Sequence, residues 1–411
     1  MVLFAATVPA IQFAFEKEPR LIVAGRSPKY LARRSHGLQM IYSAKAQNGP
    51  GQDLFFQTSS DVGDSFEGAL RVNNVPGEVS DHGENSAQLL ASPDEATLYA
   101  VWNARDPKDP SLSIVRFSRC AAMRPAWSPA ITVNDDNQPV SHAFQGAAVG
   151  PDGVIYIAWL DGRNRKESHG DHASHEFTGG TSDLYFSRSL DGGKTFEKNV
   201  RIASNVCPCC RASIAVARGR VLVSWRQVEP GDVRDIYVAG SADRGQTWGK
   251  PVLVARDSWK IKGCPHCGSA LATLNNRLYV SWFTEGGGKP VINLAWSDNG
   301  GENFSPKQPI SDGTTDPTHP QIATGDGKLA IVFQARDAAQ GSGWGKMGVY
   351  YREIPAGGAI SRLVRAGEGK SSVSYPSVAL GMSGRIFLGW TETVDGKPGA
   401  YLLRGRITDG R

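Results

Sequence analysis

Five of the six cysteines in this 411-residue chain stand in two short runs, Cys207-Pro-Cys209-Cys210-Arg211 and Cys264-Pro-His266-Cys267. Cys207 and Cys210 have C-x-x-C spacing, and so do Cys264 and Cys267. Two such pairs can supply a tetrahedral thiolate metal site, or they can form disulfides. Imidazole and thiolate together are the usual ligands of zinc and copper. The candidate metal set is therefore Cys207, Cys209, Cys210, Cys264 and Cys267 with His266, His142, and the loop histidines His169, His172 and His175. A bond between sulfurs and a metal between them both remain open at this stage. Cys120 stands apart and reads as a lone buried thiol.

The elements that must position these groups are repeated strands. An apolar strand closing on an aromatic recurs at 98–102, 154–159, 221–225, 278–282, 329–333 and 385–390. Its anchors are Trp102, Trp159, Trp225, Trp282, Phe333 and Trp390, and 38–42 adds an earlier copy closing on Tyr42. The period is about 57 residues, and period-two alternation marks strands on either side of each anchor. Four antiparallel strands per unit at this period predict one all-β domain, a seven-bladed β-propeller, with a six-bladed ring as the alternative. The blades are expected near 12–75, 76–135, 136–203, 204–256, 257–312, 313–366 and 367–411. Residues 11–15 or 21–24 are expected to close the last blade by pairing with 401–407.

The turn after the third strand carries a pattern: Ser59-x-Asp61-x-Gly63-x-x-Phe66, Ser189-x-Asp191-x-Gly193-x-x-Phe196, Ser241-x-Asp243-x-Gly245-x-x-Trp248 and Ser297-x-Asn299-x-Gly301-x-x-Phe304. The Asp or Asn side chain can accept backbone N–H bonds, Gly supplies a positive φ, and the aromatic packs beneath. The pattern resembles the Asp box, or BNR repeat, of sialidase-like propellers. It is structural there, which makes Asp61, Asp191 and Asp243 poor catalytic candidates.

In a propeller the first-strand starts and the loops between strands two and three share one face. That placement gathers His36, His82, Asn85, His142, both cysteine runs, His319 and Tyr375, and brings the 169–175 loop beside them. Arg163, Asp161 and Arg211 fall on the same face. Arginines clustered there suit a carboxylate or phosphate, which a guanidinium grips bidentately. The resemblance implies hydrolysis of an acidic glycan by an exo-glycosidase mechanism. It offers Tyr375 as nucleophile, Arg211 and Arg163 in a carboxylate clamp, and Asp161 within the candidate catalytic set. The family's Arg-Ile-Pro motif has no match; Pro19-Arg20-Leu21 is a different sequence. The other readings are a Cys/His protein binding zinc or copper and a non-catalytic module for a glycan or protein.

The net charge of +5 is too mild to argue for nucleic acid and compatible with an acidic small-molecule or glycan ligand. No apolar run is long enough for a membrane helix. Residues 2–15 are apolar and read as a signal-peptide remnant or a first strand, with export favoured. A monomer in the periplasm or outside the cell is expected.

Overall fold

The computed structural model describes residues 12–408, apart from 35–36, 48, 165–180, 339–344 and 357. Two N-terminal strands come first, β1 (Gln12–Phe15) and β2 (Arg20–Ala24). Blade 1 is β3 (Arg26–Arg33), β4 (Gly37–Lys45), β5 (Gln52–Ser59) and β6 (Glu67–Arg71). Blade 2 is β7 (Gln88–Ala91), β8 (Thr97–Arg105), β9 (Ser113–Ala121) and β10 (Ile131–Thr132). Blade 3 is β11 (His142–Val149), β12 (Ile155–Asp161), β13 (Ser182–Ser189) and β14 (Val200–Val206). Blade 4 is β15 (Ser213–Ala217), β16 (Arg220–Arg226), β17 (Ile236–Ser241) and β18 (Val252–Leu253). Blade 5 is β19 (Ala270–Leu274), β20 (Arg277–Thr284), β21 (Val291–Ser297) and β22 (Gln308–Pro309). Blade 6 is β23 (Thr314–Gly325), β24 (Lys328–Asp337), β25 (Gly348–Pro355) and β26 (Val364–Glu368). Blade 7 is β27 (Val373–Gly381), β28 (Arg385–Val394) and β29 (Lys397–Thr408), with β1 as its outer strand.

The ring therefore has seven blades. Both N-terminal strands pair with β29: β1 in register Phe13↔Ile407, and β2 in register Arg20↔Leu402.

Apolar residues explain why the blades stack. Each strand buries one face against the preceding blade and one against the next, so its sequence reads apolar on both sides. Seven buried clusters result, one per blade interface. The aromatic anchors plug these interfaces. Trp102 fills blades 1–2, Trp159 fills 2–3, Trp225 fills 3–4, and Trp282 fills 4–5. Phe333, Trp390 and Tyr42 fill the remaining three. A buried indole N–H needs an acceptor. Trp159 donates to Asp161 at 2.8 Å, Trp390 to Glu392 at 2.8 Å, Trp225 to Gln227 at 2.7 Å and Trp282 to Asp257 at 2.6 Å.

The Ser-x-Asp-x-Gly turns rivet neighbouring blades together. In blade 4, Asp243 Oδ1 accepts from Ser241 Oγ at 2.6 Å and from Thr247 N at 2.9 Å. Bonds from the Ser241 and Thr247 hydroxyls hold that carboxyl well below the usual range. Gly245 stands at φ 88°, and an added Cβ would lie 2.3 Å from the Phe186 ring of blade 3. Trp248 meets that same ring edge-on at 5.0 Å, and Phe196 meets Phe117 of blade 2 in the same way.

A candidate axial site and a buried sulfur cluster

The first strands run down the axis, and all begin at one end. There the backbone is strained in a recurring way. Ser27, Phe144, His266, His319 and Tyr375 have φ of 53, 56, 47, 54 and 52°, in blades 1, 3, 5, 6 and 7. In blade 2 Gly83 has φ 57°. A non-glycine residue in the left-handed region costs on the order of 1–3 kcal/mol and persists only where its surroundings dictate it. Side chains from the second strand of the preceding blade supply part of that support. Thr391 Oγ1 accepts the Ser27 N–H at 2.7 Å, Asn103 Oδ1 the Phe144 N–H at 3.2 Å, and Gln334 Oε1 the Tyr375 N–H at 2.8 Å. The twisted residues interrupt strand register, as between Ser374 and Ser377.

Side chains of five blades meet in one axial niche at this end. Lys29, Glu84, Arg211, His319 and Tyr375 line it, and its interior of about 10 Å³ holds roughly one water. The Tyr375 ring meets the His319 ring edge-on at 4.5 Å. Tyr375 Oη fits because residue 83 is glycine: a Cβ there would stand 2.7 Å from it. His319 Nε2 lies 3.0 Å from the His266 carbonyl oxygen, which places the proton on that nitrogen, and 3.9 Å from Glu84 Oε1. Glu84 Oε2 accepts the Gly268 N–H at 3.0 Å. Arg211 Nη2 donates to Ser86 O at 2.9 Å and Ser86 Oγ at 2.7 Å, while its buried Nε has no partner.

The niche is electrostatically tuned. Burial, with Arg211 adding repulsion, pulls the Lys29 ammonium down to about 8. Burial also lowers the His319 imidazole. Burial raises the Tyr375 phenol, and the charges of Glu84 and Cys267 add to that. Tyr375 therefore keeps its proton at neutral pH unless a base removes it. Toward its far end the axis widens into a cavity of about 490 Å³, lined by residues such as Val149, Ile214, Leu271 and Ile322.

Beside the niche, between blades 4 and 5, four sulfurs converge. Those of Cys207, Cys209, Cys210 and Cys264 all lie within 4.8 Å of one another. Cys207 Sγ is 3.2 Å from Cys210 Sγ and 3.4 Å from Cys264 Sγ. Cys209 and Cys264 are in bonding contact as a disulfide, with Cα atoms 6.5 Å apart. Arg234 Nη1 donates to Cys207 Sγ at 3.2 Å. The Cys210 thiol and the Arg226 and Arg234 charges pull Cys207 down to about 6, while burial and the Cys207 charge push Cys210 up.

The candidate metal ligands thus separate. Cys267, expected beside Cys264, lies with Glu84 and His319 at the axis, and burial raises its thiol to about 12. The left-handed turn at His266 redirects the chain between the two cysteines. His266 is exposed and offers its carbonyl to His319. His142 is not with the sulfurs: its Nε2 lies 2.8 Å from Asp136 and 3.7 Å from Asp161. His169, His172 and His175, like His36, fall outside the described residues. Cys120 is a buried free thiol, raised by burial to about 12.

The candidate catalytic residues divide in the same way. Tyr375 and Arg211 meet at the niche. Asp161 and Arg163 form a structural ion pair in blade 3 instead. Arg163 Nε and Nη2 grip Asp161 at 3.0 and 2.9 Å, Nη1 reaches Asp135 at 2.9 Å, and the guanidinium stacks on Tyr185 at 4.1 Å. Asp161 is fully buried and also accepts the Trp159 indole. Among the described residues both side chains are committed to these partners. Sequence reasoning missed Lys29 and Glu84. The signal that marks their positions is a repeated x-Pro at the first-strand start, in Ser27-Pro28, His319-Pro320 and Tyr375-Pro376, with Gly83-Glu84 as the blade 2 counterpart.

No protein-family model matches the sequence, and no curated protein is similar to it in sequence. Solved structures are similar in fold. A polysaccharide lyase described as an ulvan lyase of a new family superposes at TM-score 0.54 with 11% identity, over 95% of each chain. A sialidase from Streptococcus pneumoniae superposes at 0.50 with 11% identity, over 98% of this chain and 94% of its own. An alpha-L-arabinanase from Penicillium chrysogenum, complexed with arabinobiose, superposes at 0.50 with 13% identity, over 77% of this chain and 92% of its own. The fold is that of sialidase-like propellers.

Proposed function

We propose that this propeller binds an acidic glycan unit over the axial niche and acts on it as a glycosidase. The observation that carries this reading is the convergence of Tyr375, His319, Glu84, Lys29 and Arg211 from five blades at one end of the axis, with Tyr375 and His319 themselves held in the left-handed region. Strain of this kind is maintained where side chains must be aimed. Lys29 and Arg211 supply positive charge for a ligand carboxylate, Arg211 through the Nε that has no partner within the protein. Tyr375 is the nucleophile: Glu84, whose charge acts on it, takes the phenolic proton as Tyr375 Oη bonds to the anomeric carbon and the glycosidic C–O bond breaks, the leaving oxygen takes a proton from solvent water, and a second water then hydrolyses the tyrosyl–sugar bond. The niche accommodates one small group, so the sugar ring lies over its mouth and directs its carboxylate inward. The similarity in fold to sialidases and a polysaccharide lyase agrees with a glycan ligand but does not choose the reaction.

The test is turnover of a panel of fluorogenic sialosides and uronides by the full chain and by Tyr375→Phe. The expected result is hydrolysis by the wild type, and a loss of about 10²-fold or more in the variant at an unchanged denaturation midpoint. Equal turnover by Tyr375→Phe removes Tyr375 as the nucleophile. Binding to an acidic glycan array without turnover by either protein replaces the enzyme reading with a binding module.

A further inference from the structure

The four sulfurs between blades 4 and 5 have neighbours that the axial site does not use. Arg226 and Arg234 are 1% and 2% exposed, among the most deeply buried large side chains in the protein. Among the described residues the hydrogen bonds of both go to carbonyl oxygens and sulfur rather than to a carboxylate, and the Nε of each has no hydrogen-bond partner. Arg226 spends its other donors on the carbonyls of Arg234, Cys267 and Phe283, and stacks on Trp259 at 5.1 Å. Arg234 points Nη1 at Cys207 Sγ. Two buried cations require a compensating anion, and the sulfur cluster is the group placed to be it.

Charge decides what form the cluster takes. A bond between Cys209 and Cys264 takes two of the four sulfurs out of the set that can carry charge beside Arg226 and Arg234. Four thiolates around a divalent cation carry a net charge of about −2, which matches them. The geometry agrees. Tetrahedral zinc–thiolate bonds of about 2.3 Å put sulfurs about 3.8 Å apart, against the observed 3.2 and 3.4 Å and an upper limit of 4.8 Å for the whole set. Only the Cys209–Cys264 contact must open.

We propose that Cys207, Cys209, Cys210 and Cys264 hold one zinc ion as a closed tetrathiolate, with Arg226 and Arg234 as its buried counter-charges. No coordination position is left open, so the ion is structural. It ties the chain entering blade 4 to the chain entering blade 5, beside Arg211 and Cys267, and so fixes two of the segments that shape the axial niche. The Arg234 N–H directed at Cys207 Sγ serves as the outer shell that orients a thiolate ligand. Cys267 is not a ligand.

The test is metal content and thiol count on the full-length chain, expressed in a reducing cytosol with zinc and purified without exposure to oxidant. About one zinc per chain is expected, and all six cysteines are expected to titrate once the protein is denatured with a chelator. Zinc is expected to be lost in Cys207→Ser and Cys210→Ser and kept in Cys267→Ser and Cys120→Ser. Because a ligand variant can fail to fold, the wild type is also exchanged with cobalt(II). A tetrathiolate then shows intense sulfur-to-cobalt charge-transfer absorption with tetrahedral ligand-field bands. Absence of zinc with only four titratable thiols means that the Cys209–Cys264 bridge is the resting form, and overturns the proposal. So does zinc retained by Cys207→Ser and lost by Cys267→Ser, or a cobalt form without thiolate charge transfer.

Discussion

Replacing Arg163 with alanine separates a structural ion pair from a ligand clamp. The wild-type guanidinium grips Asp161 through two donors at 2.9 and 3.0 Å, and Asp161 has no solvent exposure. Without the arginine, Asp161 keeps the Trp159 indole and one backbone N–H but loses its counter-charge. Removing one partner of a buried pair typically costs about 3–5 kcal/mol. The Arg163 side chain is 11% exposed, so little of that is discounted for solvent. Part of the loss should return when Asp161→Asn is added, because the buried charge is then gone. The cycle should show a coupling of about 2 kcal/mol or more. Guanidinium denaturation of the four proteins, followed by tryptophan fluorescence, measures it. Affinity for any acidic glycan should be unchanged in the folded variants. A stability loss under about 0.5 kcal/mol with weakened ligand binding would refute this reasoning and return Arg163 to the site.

Further outcomes follow from the axial niche. Gly83→Ala adds a Cβ 2.7 Å from Tyr375 Oη at a residue with φ 57°, so stability should fall by about 1–2 kcal/mol and Tyr375-dependent turnover by about 10²-fold, read by denaturation and by initial rates. Lys29, with its ammonium near 8, should be about half deprotonated at pH 8, where an ordinary lysine is under about 1% so. NMR titration of the lysine Nζ signals should show one midpoint near 8, and an acidic ligand should raise it. The lowered His319 value means that the unfolded chain takes up a proton near pH 6.5 before the folded chain does. Stability should therefore be lost as pH falls through that region, and His319→Gln should flatten the dependence. Gly245→Ala drives a methyl into the Phe186 ring at positive φ, and should lower the unfolding free energy by about 2–3 kcal/mol, read by chemical denaturation, without touching the axial end.

Much of the fold was legible because each blade repeats the same physical requirement. An aromatic must plug every blade interface, so Tyr42, Trp102, Trp159, Trp225, Trp282, Phe333 and Trp390 announce seven blades without any knowledge of the contacts. The end of the axis where chemistry gathers was legible from strand order alone, which placed Arg211, His319 and Tyr375 together. What escaped were features set by backbone twist. His266 in the left-handed region separates Cys264 from Cys267, although a C-x-x-C spacing reads as one pair. Asp161, two residues before Arg163, was a legible ion-pair partner, whereas Asp135 lies 28 residues away and meets the guanidinium only when β12 docks beside the chain entering blade 3. Lys29 and Glu84 were marked only by their place at the repeated first-strand start, since a lone lysine or glutamate there is ordinary surface composition.

The pairing of β1 with β29 sets an order of events for biosynthesis. Of the strands described, β1 is made before all the others yet belongs to the last blade, and its partner β29 is made after them. Blades 1 to 6 can each form as their own hairpins appear, but the circle stays open throughout, with the edge of blade 1 uncovered. Closure then requires two distant segments of chain to meet, which is entropically slow and late. A half-made chain is thus an open fan with an exposed strand edge, and that interval, rather than the finished ring, is when this protein is most vulnerable to pairing with its neighbours.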